Sequence, residues 1–281
     1  MSDGKARPHR PKLLVFAGGL VALTLFVAVF APLLAPYEPL AQSISDRLQG
    51  PSAQHWLGTD QFGRDILSRV FYGLRASLTV SMGAVFAALI LGGTLGLTAA
   101  YARGWVDRVV MRLMDVLFAF PVMLLAIGII AVLGPGAVTT AIAIAIVYTP
   151  IFARLLRGPA LVIVESDYVL SARSVGASHL RIVLLHILPN LASVVLVQTS
   201  LLLSTAILVE ASLSFLGLGT QPPLPSLGMM LSEGRTFLRL SPWSAVFSGC
   251  AILVVAFGLN LLGDVMRDQL DPRLRGERAA A

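Results

Sequence analysis

Long apolar stretches, separated by short polar ones, run through almost the whole chain. Six of them, at approximately 13–34, 76–100, 113–133, 137–152, 191–216 and 244–262, read as membrane-crossing helices. A hydrocarbon core of about 30 Å takes about 20 helical residues at about 1.5 Å each. The fourth stretch is the shortest by that measure. Leu133-Gly134-Pro135-Gly136 forms a tight break between two helices that would otherwise read as one. The pattern predicts an all-α, multi-pass membrane bundle over residues 13–262, with tails at 1–12 and 263–281. Two polar stretches, 37–75 and 153–190, are long enough to carry structure of their own. There is no internal repeat and no low-complexity segment.

The first apolar stretch follows Lys5, Arg7, Arg10 and Lys12, as a signal peptide would. Its run is longer than a signal core, and the small residue Ala35 precedes Pro36, so an uncleaved first helix is expected. With both termini in the cytoplasm, 15 of the 21 Lys and Arg residues fall inside. Only Arg47, Arg64, Arg69, Arg75, Arg235 and Arg239 then fall outside, which predicts that orientation.

Composition agrees. The chain is 56% apolar and 13% charged, with a mean hydropathy of +0.83; a soluble domain carries about 25% charged residues. The net charge of +6 is spread between apolar runs rather than gathered in one patch. Topology therefore accounts for it, and nucleic acid is not an expected partner. The single cysteine, Cys250, excludes an intrachain disulfide and reads as an inert buried thiol.

Enzyme chemistry finds no foothold. His9, His55, His179 and His186 lie outside the spans and make no metal-ligand spacing. There is no G-x-S-x-G elbow, and the only lysines, Lys5 and Lys12, leave none for a phosphate-binding loop. If ATP is used, a partner must bind it. Asp115 sits at the cytoplasmic edge of the third span, and Glu210 lies deeper, in the fifth. An intramembrane carboxylate is costly. Glu210 either bonds to a neighbouring helix or snorkels outward, or it belongs to a pathway; one such group is thin support for a proton-coupled carrier.

The polar stretch 153–190 is more informative. Ser166 can cap a helix through Asp167, Tyr168, Val169, Ala172 and Arg173, with Gly176 supplying a left-handed C′ position. Ser178 can cap a second helix, running to Pro189. Such an element is a docking surface or a well-capped connector. Upstream, Ile66, Leu67, Val70, Phe71 and Leu74 share one helical face between Arg64 and Arg75, and Asp65 and Arg69 form an i,i+4 surface pair. That predicts an interfacial amphipathic helix leading into the second span.

Ser171-Ala172-Arg173-Ser174-Val175-Gly176-Ala177-Ser178, followed by His186-Ile187-Leu188-Pro189, resembles the EAA loop of ABC-importer permeases. Ala172, Gly176 and Leu188-Pro189 fit, whereas Leu170 replaces the usual Glu and Ser171 the first Ala. The resemblance extends over nearly the whole chain to the dipeptide/oligopeptide/nickel branch. Three blocks carry it: Leu57-Gly58-Thr59-Asp60-Gln61-Phe62-Gly63-Arg64-Asp65, then Ser212 to Gly219 with Gln221-Pro222-Pro223, then Asp264 to Arg275. The resemblance implies a non-catalytic inner-membrane subunit that pairs with a second homologous permease around a shared pathway. It further implies two cytoplasmic ATPases holding ATP-Mg and docked on residues 166–188, an extracytoplasmic binding protein facing the first block, and no cofactor on this chain. Peptides lead as substrate, ahead of nickel, opines and other small solutes. The rivals are a stand-alone secondary carrier and, with little room, a membrane enzyme.

Overall fold

The computed structural model describes residues 10–270, and among these it consists of helices joined by loops. Lys5, Arg7 and the Asp271 to Arg275 part of the terminal block lie outside the described residues. α1 (Arg10–Val29) breaks at Phe30 into the single turn α2 (Ala31–Leu34). A loop with a 3-10 turn at Ile44–Asp46 then leads to α3 (Ile66–Ala102).

α3 is one helix of 37 residues, roughly 55 Å long at 1.5 Å each. The expected amphipathic helix is thus simply its first turns, and it is not buried on one side alone: Ile66, Val70 and Leu74 are buried, but so are Ser68 and Arg69 on the other side. The expected surface pair of Asp65 with Arg69 does not form either. Asp65 is buried and caps α3, accepting from Ser68 N–H at 2.8 Å, while Arg69 turns to Asp60 and Glu233. Carboxylates brought in from other segments let this end of α3 bury its arginine.

The third apolar stretch is bent. α4 (Gly104–Phe118) meets α5 (Val122–Leu133) at 93°, with Pro121 at the corner. α5 alone, about 18 Å long, is too short to cross the core. The fourth stretch is longer than expected, because α6 (Ala137–Val164) continues through Pro150 and Pro159. Arg154 and Arg157 do not end it, since each finds a carboxylate on α4.

α7 (Asp167–Ser174) and α8 (His179–Ile182) follow, then a π turn at Val183–Ile187 and α9 (Leu188–Phe215). Pro189 was expected to stop the second helix of this loop. Instead it occupies the first turn of α9, where its missing N–H is harmless, and the wide π turn carries the helix across it. After α9 come α10 (Leu227–Thr236) and α11 (Trp243–Leu270). Five helical segments are each long and apolar enough to cross a membrane, and the number rises to six if the bent α4–α5 pair is counted as one span.

We call the end where α1 begins and α11 finishes proximal, and the other end distal. α3 and α6 run parallel and in intimate contact: a Cβ on Gly92 would overlap the Thr149 carbonyl, and one on Gly96 that of Ala153. Four-residue spacing of glycines lets helix backbones touch where no hydrophobic force drives them together. α10 is wedged at the distal end in the same way, Gly228 against Ala211 of α9 and Gly234 against Ala245 of α11. Cys250 of α11 is exposed rather than buried, because it faces away from these contacts.

Candidate functional site

The proximal element is built locally. Gly176 has φ +83°, and it closes α7 with two bonds, Ala177 N–H to the Ala172 carbonyl (3.0 Å) and Gly176 N–H to that of Arg173 (2.9 Å). This is a Schellman ending, in which a left-handed residue reverses the chain and satisfies the last carbonyls. Ser178 caps α8 through Arg181 N–H, as expected. Ser166 sits at the N-cap of α7, but its hydroxyl donates to the Ile163 carbonyl (2.6 Å) instead of accepting from α7.

Val169, Ile182, Ile187 and Leu191 anchor the element in a cluster with Ala100 of α3 and Leu156, Ala160 and Val164 of α6. The opposite side is open. Tyr168, Leu170, Ser171, Arg173, Gly176 and Leu180 are exposed, Ala172, His186 and Leu188 are partly so, and Val175 is 85% exposed. An apolar ridge of Leu170, Val175 and Leu180 is therefore presented outward on a braced support, and such a patch marks an interaction surface.

The brace includes residues that the sequence did not single out for this role. Tyr101, near the end of α3, hydrogen-bonds His179 Nδ1 at 2.5 Å and lies under the Arg173 guanidinium, 4.7 Å from its ring centre. Arg103 pairs with Glu165 at 2.7 Å. Tyr101, Arg103, Glu165 and Arg173 border a cleft of about 390 Å³ together with Val164 and Leu170. An aromatic and an arginine at the end of a span were the available signal. Tyr168 meets Asn190 at 3.4 Å, and Asn190 also donates to the His186 carbonyl (2.7 Å), tying α7 across to α9.

The distal end holds the other candidate surface. Gly58 and Gly63 have φ +81° and +72°, and they fold the segment around Asp60. Asp60 accepts from Phe62 N–H (2.8 Å), Arg64 N–H (3.0 Å) and Arg64 Nε (2.6 Å). Arg64 Nη2 and Gln61 Nε2 each reach Glu233 Oε2 of α10 at 3.1 Å, and Arg69 Nη2 lies 3.5 Å from the same oxygen. Thr59 donates to the Asp46 carbonyl, and Asp65 pairs with His55 Nδ1 at 2.9 Å. Asp60, Arg64 and Arg69 are buried and Glu233 partly so, and these two carboxylates and two guanidiniums face one another in the distal cap, beside the buried Asp65 with His55. Glu233 was not foreseen; only proximity reveals it.

Glu210 is fully buried in α9 and accepts from Ser214 Oγ at 2.7 Å. Ser77 of α3 is its other polar neighbour, and that hydroxyl accepts from Leu227 N–H at the start of α10 (3.4 Å). It is buried rather than snorkelling outward, and among the described residues its polar neighbours are these two serines.

The described residues thus form a multi-helix bundle of membrane-spanning character with a braced, outward-facing proximal loop. Residues 92–276 match the family model described as "binding-protein-dependent transport system inner membrane component", and residues 9–51 that of the N-terminal TM domain of oligopeptide transport permease C. The chain is 48% identical to the dipeptide transport system permease protein DppC of Alkalihalophilus pseudofirmus, over 92% of this chain and 85% of that one. It is 47% identical to the glutathione transport system permease protein GsiD of Escherichia coli, over 96% and 89%. Its fold matches a chain of the MetNI methionine ABC transporter with a TM-score of 0.57 at 16% identity, over 73% of this chain and 97% of that one. The chain belongs to the binding-protein-dependent transport permeases. It is a non-catalytic inner-membrane subunit of an ABC importer, which works with a substrate-binding protein and a partner ATPase that hydrolyses ATP.

Proposed function

We propose that this chain forms half of a peptide pathway, pairing with a second homologous permease, with its proximal end and both termini in the cytoplasm. Two ATPases holding ATP-Mg dock on residues 166–188, and the binding protein meets the distal cap. The exposed ridge of Leu170, Val175 and Leu180 on a buried footing carries the docking reading. Nucleotide-driven closure of the ATPases moves this element as a lever, and Tyr101 and Arg103 pass the motion to α3. The relatives named for dipeptide and glutathione transport support peptides as cargo. The distribution of Lys and Arg supports the orientation.

Docking is tested by purifying the complex and measuring peptide-stimulated ATP hydrolysis in proteoliposomes with the binding protein present. A chain that transports without any co-purifying ATPase is a carrier, and the docking role falls. Orientation is tested with an impermeant maleimide in intact cells, in a Cys250→Ala background. Cysteines at Ser45 and Ser232 should react and those at Ser2 and Ala279 should not; labelling at either terminus reverses the topology.

A further inference from the structure

α4 is a strongly amphipathic helix whose depth can be read from its partners. α6 starts at Ala137 at the distal end, and about 20 residues of helix cross the hydrocarbon core, so the proximal boundary falls near Arg157. Arg157 binds Asp107 through two bonds of 2.5 and 2.6 Å, and Arg154 binds Asp115 at 2.6 Å. Both parts of α4 are therefore held at the proximal boundary, and the 93° corner with α5 turns α4 along that boundary rather than through it.

The side of α4 turned away from the bundle is apolar. Trp105, Val109, Leu113 and Val116 recur at helical spacing and are exposed, Trp105 by 70%, while Met114 on the opposite side is buried. Arg108 and Arg112, one turn apart, flank this stripe and are exposed. Neither has a carboxylate partner among the described residues; Arg108 reaches only the Gly104 carbonyl of its own helix, at 3.4 Å. An apolar face at hydrocarbon level, a tryptophan, and two adjacent unpaired guanidiniums at headgroup level match what an anionic lipid offers: acyl chain below, phosphate above.

We infer that α4 is a binding site for anionic phospholipid of the cytoplasmic leaflet, with Arg108 and Arg112 on the phosphate and Trp105, Val109 and Leu113 on the acyl chains. The site rests on the cytoplasmic placement of the proximal end proposed above. Occupancy holds α4 flat and, through Asp107–Arg157 and Asp115–Arg154, steadies the proximal half of α6 from which α7 descends.

The test uses the assembled transporter in nanodiscs of phosphatidylcholine with phosphatidylglycerol, Trp56→Phe and Trp243→Phe leaving Trp105 as this chain's fluorophore and the partners' tryptophans likewise replaced. Brominated phosphatidylglycerol should quench Trp105 far more than brominated phosphatidylcholine at equal content, reflecting about tenfold local enrichment. Arg108→Gln with Arg112→Gln should erase the difference while the ATPase still co-purifies. Equal quenching by the two lipids overturns the site, leaving plain lipid contact. Absence of quenching by either also overturns it, because another subunit then covers α4, which a Leu113→Cys cross-link would identify. If the double variant fails to assemble, the quenching ratio of the parent decides alone. Loss of the ATPase from the parent complex would count against the importer arrangement and not against this site.

Discussion

Two loops at opposite ends of the molecule each turn on a left-handed glycine, and the two glycines are held differently. At Gly63, in the distal cap, an added Cβ would overlap the Ser43 carbonyl; at Gly176, in the proximal element, nothing lies within 4 Å. The distal cap is built like a protein core, its conformation fixed by segments distant in sequence and by buried ion pairs. The proximal element is fixed by its own capping bonds, an apolar footing and a few polar ties to the ends of α3 and α9, all on its inner side, so that its outer side stays free. A scaffold needs the first arrangement, and a surface that must receive a partner needs the second.

The largest effect should come from the buried charges. Arg69→Leu leaves Asp60 and Glu233 short of a cation in a cap that water scarcely reaches, at a cost of about 3–5 kcal/mol. We expect little assembled complex after membrane extraction, read by size-exclusion chromatography. Wild-type yield and thermal stability would show that the cap is not held by its charges.

The two glycines provide the direct contrast. Gly63→Ala combines a positive φ with a backbone overlap, for about 2–4 kcal/mol, and should lower the melting temperature of the whole complex. Gly176→Val meets no neighbour and pays only for its φ, about 1–3 kcal/mol confined to the α7–α8 turn. That variant should insert and pair normally but lose ATPase and peptide-stimulated hydrolysis. Equal melting shifts for the two variants would erase the distinction between the two ends.

Leu170→Asp sharpens the proximal side further. It changes an exposed residue and should leave stability within about 0.5 kcal/mol. A charge placed on the apolar ridge should weaken ATPase retention by about tenfold or more, measured by titrating purified ATPase onto the permease pair. Unchanged retention would return residues 166–188 to the role of connector.

What was legible in the sequence follows the same divide. Gly176, Ser178 and the residues around them could be read because a Schellman ending and a serine cap are settled within a few neighbours. The apolar runs announced the crossings, since only the solvent had to be known. Glu233 could not be read, because its partners Gln61 and Arg64 lie some 170 positions away and the folded chain alone unites them. The same cause contributed to the loss of the expected pair of Asp65 with Arg69, which turns to the nearby Asp60 and to the remote Glu233. Pro121 and Pro189 look alike as helix breakers, yet one marks a right-angled corner and the other is carried through by a π turn. Which outcome follows depends on packing that no window of sequence contains.

The smallest effect should be at Glu210, among the described residues the one carboxylate deep within a span and fully buried. Its Oε1 accepts from Ser214 Oγ, while Oε2 has no hydrogen-bond partner and Ser77 is nearby. Gln keeps the volume and an accepting oxygen for Ser214, and its amide can donate to Ser77 Oγ, which already joins the start of α10 to α3. Glu210→Gln should therefore shift stability by less than about 1 kcal/mol and leave transport within about twofold of the parent. Glu210→Ala removes the acceptor of the Ser214 hydroxyl and leaves a void beside it, for about 2–4 kcal/mol. Transport lost in the Gln variant while the complex stays intact would mean that the carboxylate, not its shape, is used, and would move Glu210 from the scaffold into the pathway.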